Sequence, residues 1–404
     1  MKRKKITVST AMSFILLMGI VSLVSDITHE GAASILGDYL SMAGASAAAI
    51  GFASGLGECV GYSLRLVTGY LADRTKKYWT MTVIGYFIDC LAVPALALVP
   101  NGGWVLACIL LVIQRTGKAI KKPAKDTIMS FAASKEGAGK SFAIQEMLDQ
   151  IGAFLGPVML FLILLVNQND NSFHKYSVSF ALLGIPAVAT ILLLLYAKRR
   201  FPNPEQFEPE VKPKERVKKN RAFLFYIIAI SLFALGYIDF TLITMHTARM
   251  QLLPENTLPL LYAGAMLTDA AAALFFGWLY DKYGIRVLML SMLMAAPFAV
   301  LIFGFTSRWT LYAGVALWGI GMGAQESVLK AAVTSIVPKQ SRASGFGIFQ
   351  TAFGVSWFLG SWLMGSLYDV SRPGMIAFSV AAQLLAIPLI WLCDKKNREA
   401  TPAV

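Results

Sequence analysis

Twelve separate runs of about twenty or more mostly apolar residues divide this chain, and no other feature limits its fold so severely. They fall at 8–37, 46–71, 79–99, 103–120, 141–166, 176–197, 222–247, 258–280, 284–306, 309–337, 343–368 and 374–393. At about 1.5 Å per residue, each run is long enough to cross about 30 Å of hydrocarbon as a helix. Only 15 % of residues are charged, against about 25 % in a soluble domain. Such a chain reads as an all-α membrane protein, which excludes a cytosolic enzyme, a secreted disulfide scaffold and a disordered binder. Cys59, Cys90, Cys108 and Cys393 are scattered and form no zinc, redox or disulfide pattern. Lys2 to Lys5 precede an apolar run but no small-residue cleavage site follows, so the first run is read as an uncleaved helix.

The lysines and arginines orient these runs. With both termini on the cytoplasmic side, 28 basic residues fall on inner segments and four (Lys175, Arg249, Arg308, Arg372) on outer ones. This bias accounts for the formal charge of +13 through topology and contact with anionic lipid, without nucleic acid. The basic, proline-rich stretch 198–221 divides the runs six and six. The chain is therefore expected to comprise a helical bundle at 1–197, a cytoplasmic linker at 198–221 and a second bundle at 222–404.

The two bundles repeat each other. Gly69-Tyr-Leu-Ala-Asp73-Arg74 closes the second run, and Gly277-Trp-Leu-Tyr-Asp281-Lys282 closes the eighth, 208 residues later. Phe142, Ile144, Phe154, Leu155 and Gly156 of the fifth run recur, 204 residues on, as Phe346, Ile348, Phe358, Leu359 and Gly360 of the eleventh. Parallel six-helix repeats related by an axis along the membrane normal suit alternating access, because two halves can rock about a site between them.

The segment GYLADRTKKYW (69–79) resembles the loop signature between helices two and three of the major facilitator superfamily. Gly69, Leu71, Ala72, Asp73, Arg74 and Lys77 fit it, and Lys76 replaces its second glycine. The resemblance implies that Gly69, Asp73 and Arg74, with Asp281 in the repeat, latch the halves on the cytoplasmic side. Asp73 facing the positive end of the eleventh helix would supply the attraction. Gly152-x-x-x-Gly156-Pro157 is similar to the antiporter motif of the drug:proton antiporters, although the motif's terminal glycine pair is missing. Small residues four apart also let two helices approach closely, whatever the direction of transport. Arg115-Thr-Gly-Lys runs into Lys121-Lys-Pro-Ala-Lys125-Asp126, which departs from the drug exporters and places the resemblance in a neighbouring prokaryotic branch.

Nine acids lie inside the runs: Asp26, Glu30, Glu58, Asp89, Glu146, Asp149, Asp239, Asp269 and Glu326. Unpaired, they would cost on the order of 25 kcal/mol at the bilayer centre, so each should face a cavity or a partner. Asp26 and Glu30 share one helix face, as do Glu58 and Arg65. Asp239 and Asp269 correspond roughly to Asp26 and Glu58 in the repeat. Asp26, Glu30 or Glu58 is expected to carry a proton, with Asp239, Asp269 and Glu326 shaping the opposite wall. Arg65 and Arg115 serve as counter-charges or hold an anionic group, and Asp149 and Asp89 serve either coupling or helix register. No metal is assigned, although His29 beside Asp26 and Glu30 is a set that divalent metals accept.

Two motifs are rejected on context. Ser134-Lys-Glu-Gly-Ala-Gly-Lys-Ser141 is one residue short of a phosphate-binding loop and follows no strand. Gly319-Ile-Gly-Met-Gly323 sits in an apolar run and reads as close helix packing. The sequence thus points to a monomeric, multi-pass transporter of the inner membrane, with no enzymatic activity and no cofactor. Its partners are lipid, protons and a small organic solute, preferentially exported. Uptake of an anionic or metal-chelating solute, or of a divalent metal, is the alternative, and a non-transporting sensor or membrane enzyme a remote one.

Overall fold

The computed structural model describes residues 9–136, 138–166, 172–204, 221–337 and 342–400. Among these the chain is helical throughout, with no strand. In the N-terminal half run α1 (Thr10–Met42), α2 (Ala47–Thr75), α3 (Tyr78–Ala95), α4 (Trp104–Glu136), α5 (Ala138–Val166), α6 (Ser172–Leu182) and α7 (Gly184–Arg200). The C-terminal half contributes α8 (Arg221–Gly236), α9 (Phe240–Arg249), α10 (Leu258–Tyr283), α11 (Val287–Ala295) and α12 (Phe298–Phe303). It ends in α13 (Arg308–Ala324), α14 (Lys330–Ile336), α15 (Arg342–Val370) and α16 (Arg372–Ala400). Residues 205–220 of the expected linker lie outside the described part.

Among the described residues, eight stretches are long and apolar enough to cross a bilayer. They carry large apolar side chains on their outer surfaces, among them Ile185, Leu192, Leu267 and Leu274, as contact with lipid requires. The remaining four expected spans are also helical but are not among these eight. α2 and α4 hold Glu58, Arg65, Arg115, Lys118 and Lys121, and the segment α13–α14 and α15 are diluted by Gly, Ser and Gln.

Several expected boundaries shift. The fourth run was placed at 103–120 with 121–140 as an inner loop, whereas α4 continues to Glu136 and α5 begins at Ala138. The helix survives this basic stretch because Lys121 and Lys125 turn inward to acceptors on α1 and α3, burying their stems on the way. The seventh run breaks at 237–239, where Asp239 caps α9 by accepting from the Thr241 amide at 2.9 Å. The ninth breaks before Pro297, which lacks the donor a continuous helix needs. The tenth contains a five-residue π segment, Gln325–Leu329.

Backbone contact at glycine holds the helices together. A Cβ on Gly156 of α5 would lie 2.5 Å from the Ile27 carbonyl oxygen of α1, and one on Gly360 of α15 would lie 2.4 Å from that of Leu235 in α8. These glycines are equivalent in the repeat, and each brings the fifth span of its half against the first. Between halves, α2 and α15 run antiparallel in similar contact: a Cβ on Gly51 would meet the Ser361 carbonyl oxygen at 2.1 Å.

A charged cavity between the halves

A cavity of about 350 Å³ lies where α1, α2, α4 and α5 face α10, α13, the π segment and α15. Asp26, Glu30, Glu58, Arg65, Arg115, Asp149 and Asp269 all line it. So do Lys118, Lys121, Lys122, Lys125 and Glu146. The structure brings this charge together by pairing part of it. Arg115 Nη2 lies 2.7 Å from Glu58 Oε1, joining α4 to α2. Glu30 reaches across the halves and accepts the Tyr262 hydroxyl of α10 at 2.5 Å. The Arg65 guanidinium sits 4.7 Å from the centre of the Tyr62 ring, a cation–π contact in place of an ion pair with Glu58. Asp149 Oδ1 is buried without a hydrogen-bond partner.

Two expected placements change. Asp239 does not line the cavity. Having capped α9, its second oxygen accepts from Trp357 Nε1 at 3.3 Å, because the helix breaks before it and turns the carboxylate to its own amides. His29 turns away from Asp26 and Glu30 and lies 2.9 Å from Asp89 Oδ2, with its other ring nitrogen 3.1 Å from Gln114 Nε2. Asp89 is fully buried and also accepts from Lys121 Nζ and, at 2.9 Å, from Gln114. His29, Asp89 and Cys90 are close enough to share a metal, but the Lys121 ammonium already occupies the carboxylate oxygen nearest the imidazole. The side chains of Asp73, Asp281 and Glu326 lie outside the described residues. Gly69 and Arg74 are in the last turns of α2, where a Cβ on Gly69 would meet only Pro123 at an ordinary 3.6 Å. Gly152, like Gly156, presses on α1, and Pro157 follows inside α5.

Sequence reasoning missed one group and, of a second, offered only that His246 and Arg249 near the end of the seventh run gate substrate or form a solvated rim. The first is the aromatic wall of the C-terminal half, where Phe349, Phe353 and Trp357 recur every fourth residue on α15, joined by Trp318, Met322 and Gln325. The four-residue spacing was legible, but a stripe of this kind reads equally as core. The other is a clasp at the end of the molecule where α1 gives way to α2. Arg249 of α9 donates to Ser41 Oγ at 2.9 Å and to the Ala45 carbonyl at 3.2 Å, and lies 3.8 Å from Asp369 of α15. Asp369 accepts from the Ala48 amide at 3.1 Å, capping α2 from the other half. Beside it, a Cβ on Gly37 would lie 1.9 Å from the Thr241 carbonyl oxygen, so α1 and α9 are in backbone contact. This end is shut.

The sequence profile described as Major Facilitator Superfamily matches residues 6–253 and 241–403. The chain belongs to that superfamily. It is 36 % identical over 389 residues to an uncharacterized protein of Mycobacterium tuberculosis, covering 95 % of this chain and 93 % of that one. It is 29 % identical over 191 residues to the class H tetracycline resistance protein of Pasteurella multocida, covering 46 % and 47 %. In fold it is similar to a bacterial homolog of the human lysosomal transporter Spinster, crystallised in an inward-facing and unoccupied conformation. That match has a TM-score of 0.75 at 14 % identity, over 97 % of this chain and 99 % of that one. The chain is a membrane-embedded transporter of the superfamily and not an enzyme.

Proposed function

We propose that this chain is a secondary active transporter that exports a small organic solute in exchange for protons, by alternating access. The observation that carries the reading is the cavity between the halves, which gathers the acids Asp26, Glu30, Glu58, Asp149 and Asp269 while the clasp at Arg249 shuts one end. In this reading twelve spans cross the inner membrane of a monomer with both termini cytoplasmic. The bundles 1–197 and 222–404 rock about the linker, and the shut end faces outward. Protons reside on Asp26, Glu30 or Glu58, and release of the Glu30–Tyr262 bond accompanies the rocking. Gly69, Asp73, Arg74 and Asp281 latch the opposite face when the cavity opens outward. Support for export comes from the Gly152–Pro157 motif and from likeness over half the chain to a protein named for tetracycline resistance.

Purified protein in liposomes loaded with a pH dye tests this reading. Proton movement with one solute class, lost in Glu30→Gln while counterflow of that solute persists, is the expected result. Equal loss of counterflow in Glu30→Gln and Glu58→Gln would assign both acids to structure instead. A second reading, uptake of an anionic solute, is favoured by Arg65, Lys118, Lys122 and Lys125 in the cavity lining, and the sign of proton movement separates the two.

A further inference from the structure

The cavity lining is bipolar. Its N-terminal wall carries six cations (Arg65, Arg115, Lys118, Lys121, Lys122, Lys125) and five acids (Asp26, Glu30, Glu58, Glu146, Asp149). Its C-terminal wall carries Asp269 as the one charge among the described lining residues, set in Tyr262, Trp318, Phe349, Phe353 and Trp357. With every group ionised, as after release of an exchanged proton, the charges cancel. A solute with net charge of either sign would leave an uncompensated charge in a site walled by low-dielectric aromatic surface, whereas one carrying both signs would not.

The groups without protein partners show what such a solute must offer. Arg65 Nε is buried with no hydrogen-bond partner, and the guanidinium has a ring in place of a carboxylate. Asp149 Oδ1 and the side-chain oxygens of Gln150 and Gln325 are also buried without donors. Buried polar atoms left unmatched are costly, so a ligand that meets them as the halves close is favoured at each contact. Gln325 begins the π segment, a helical irregularity frequent at functional sites. Opposite, the Phe349–Phe353 and Phe353–Trp357 ring centres are 6.0 and 5.5 Å apart, and Tyr62 meets Phe353 edge-on at 5.5 Å. That surface accepts a flat ring system.

We propose that the transported solute is a zwitterionic aromatic compound. Its oxyanion is held by Arg65, its basic nitrogen by Asp149 with the amide oxygens of Gln150 and Gln325, and its rings by Phe349, Phe353 and Trp357. This rests on the exchange reading above, in which the proton has left the acids when the solute binds.

A quinolone bearing a carboxylate and a basic piperazine nitrogen tests it, alongside its methyl ester, a cation, and its N-acetyl derivative, an anion. Binding is read from quenching of Trp318 and Trp357 in detergent, without any flux. The zwitterion is expected to bind at least tenfold tighter than either derivative. Arg65→Gln should bring it to the level of the ester and Asp149→Asn to that of the N-acetyl form, with Arg65→Lys and Asp149→Glu restoring most of the preference. Either derivative binding as tightly as the zwitterion overturns the assignment, and so does Arg65→Gln weakening all three equally or the zwitterion failing to bind. Proton movement driven by another solute class while the zwitterion stays unbound overturns the substrate class alone. Tight zwitterion binding without flux overturns the transport reading alone.

Discussion

Asp89 holds charge together inside the N-terminal half without touching the cavity, so its neutralisation should unfold the protein before it uncouples transport. The carboxylate is fully buried, accepts from Lys121 and Gln114, and lies 2.9 Å from His29 Nε2. In Asp89→Asn the Lys121 ammonium keeps only the Ser25 hydroxyl at 3.2 Å and the Tyr86 ring, 3.9 Å from its centroid. Breaking a buried pair from one side costs about 3–5 kcal/mol, and the cation–π contact to Tyr86, already made in the native protein, returns none of it. A destabilisation of about 3 kcal/mol or more, a hundredfold or more in the folded ratio, should lower the melting temperature in detergent well below that of the native protein. Removing both charges together in Asp89→Asn/Lys121→Met should recover most of it, since replacing a whole buried pair by apolar groups is often neutral. If Asp89→Asn melts with the native protein yet loses transport, or the double variant is no better than the single, the reasoning is wrong and Asp89 belongs to the coupling machinery.

Other consequences follow from the same contacts. Arg249→Ala removes every tie of that side chain to Ser41, Ala45 and Asp369, so a cysteine at Ser41 should react several-fold faster with a membrane-impermeant maleimide; an unchanged rate would deny the clasp its role. Gly152→Val forces a side chain into a space where a Cβ already lies 2.4 Å from the Leu23 carbonyl oxygen. Overpacking of this kind costs about 1–3 kcal/mol, so a lowered melting temperature is expected, whereas a fully stable variant that has lost only antiport would favour the motif over the packing. Asp73→Asn should shift the population away from the outward-open conformation, read as changed cysteine accessibility on both faces.

Much of this molecule could be read from the chain because a bilayer leaves few choices. Runs of the right length must be helices, and buried acids must find a cavity or a partner. Of the expected cavity residues, Asp26, Glu30, Glu58, Arg65, Arg115, Asp149 and Asp269 were recognisable because charge in an apolar run is expensive enough to stand out. Partnership was not recognisable. That His29 turns to Asp89, that Glu58 takes Arg115 in preference to Arg65, and that Asp239 caps a broken helix all depend on which helix lies alongside. The reach of α4 to Glu136 was hidden for the same reason, since Lys121 and Lys125 look like loop residues until α1 and α3 supply their acceptors. Periodicity and hydropathy are properties of one segment and determine that a helix forms and where it resides. Pairing and closure are properties of two segments brought together, so the Arg249 clasp and the aromatic wall were decided by the tertiary structure alone.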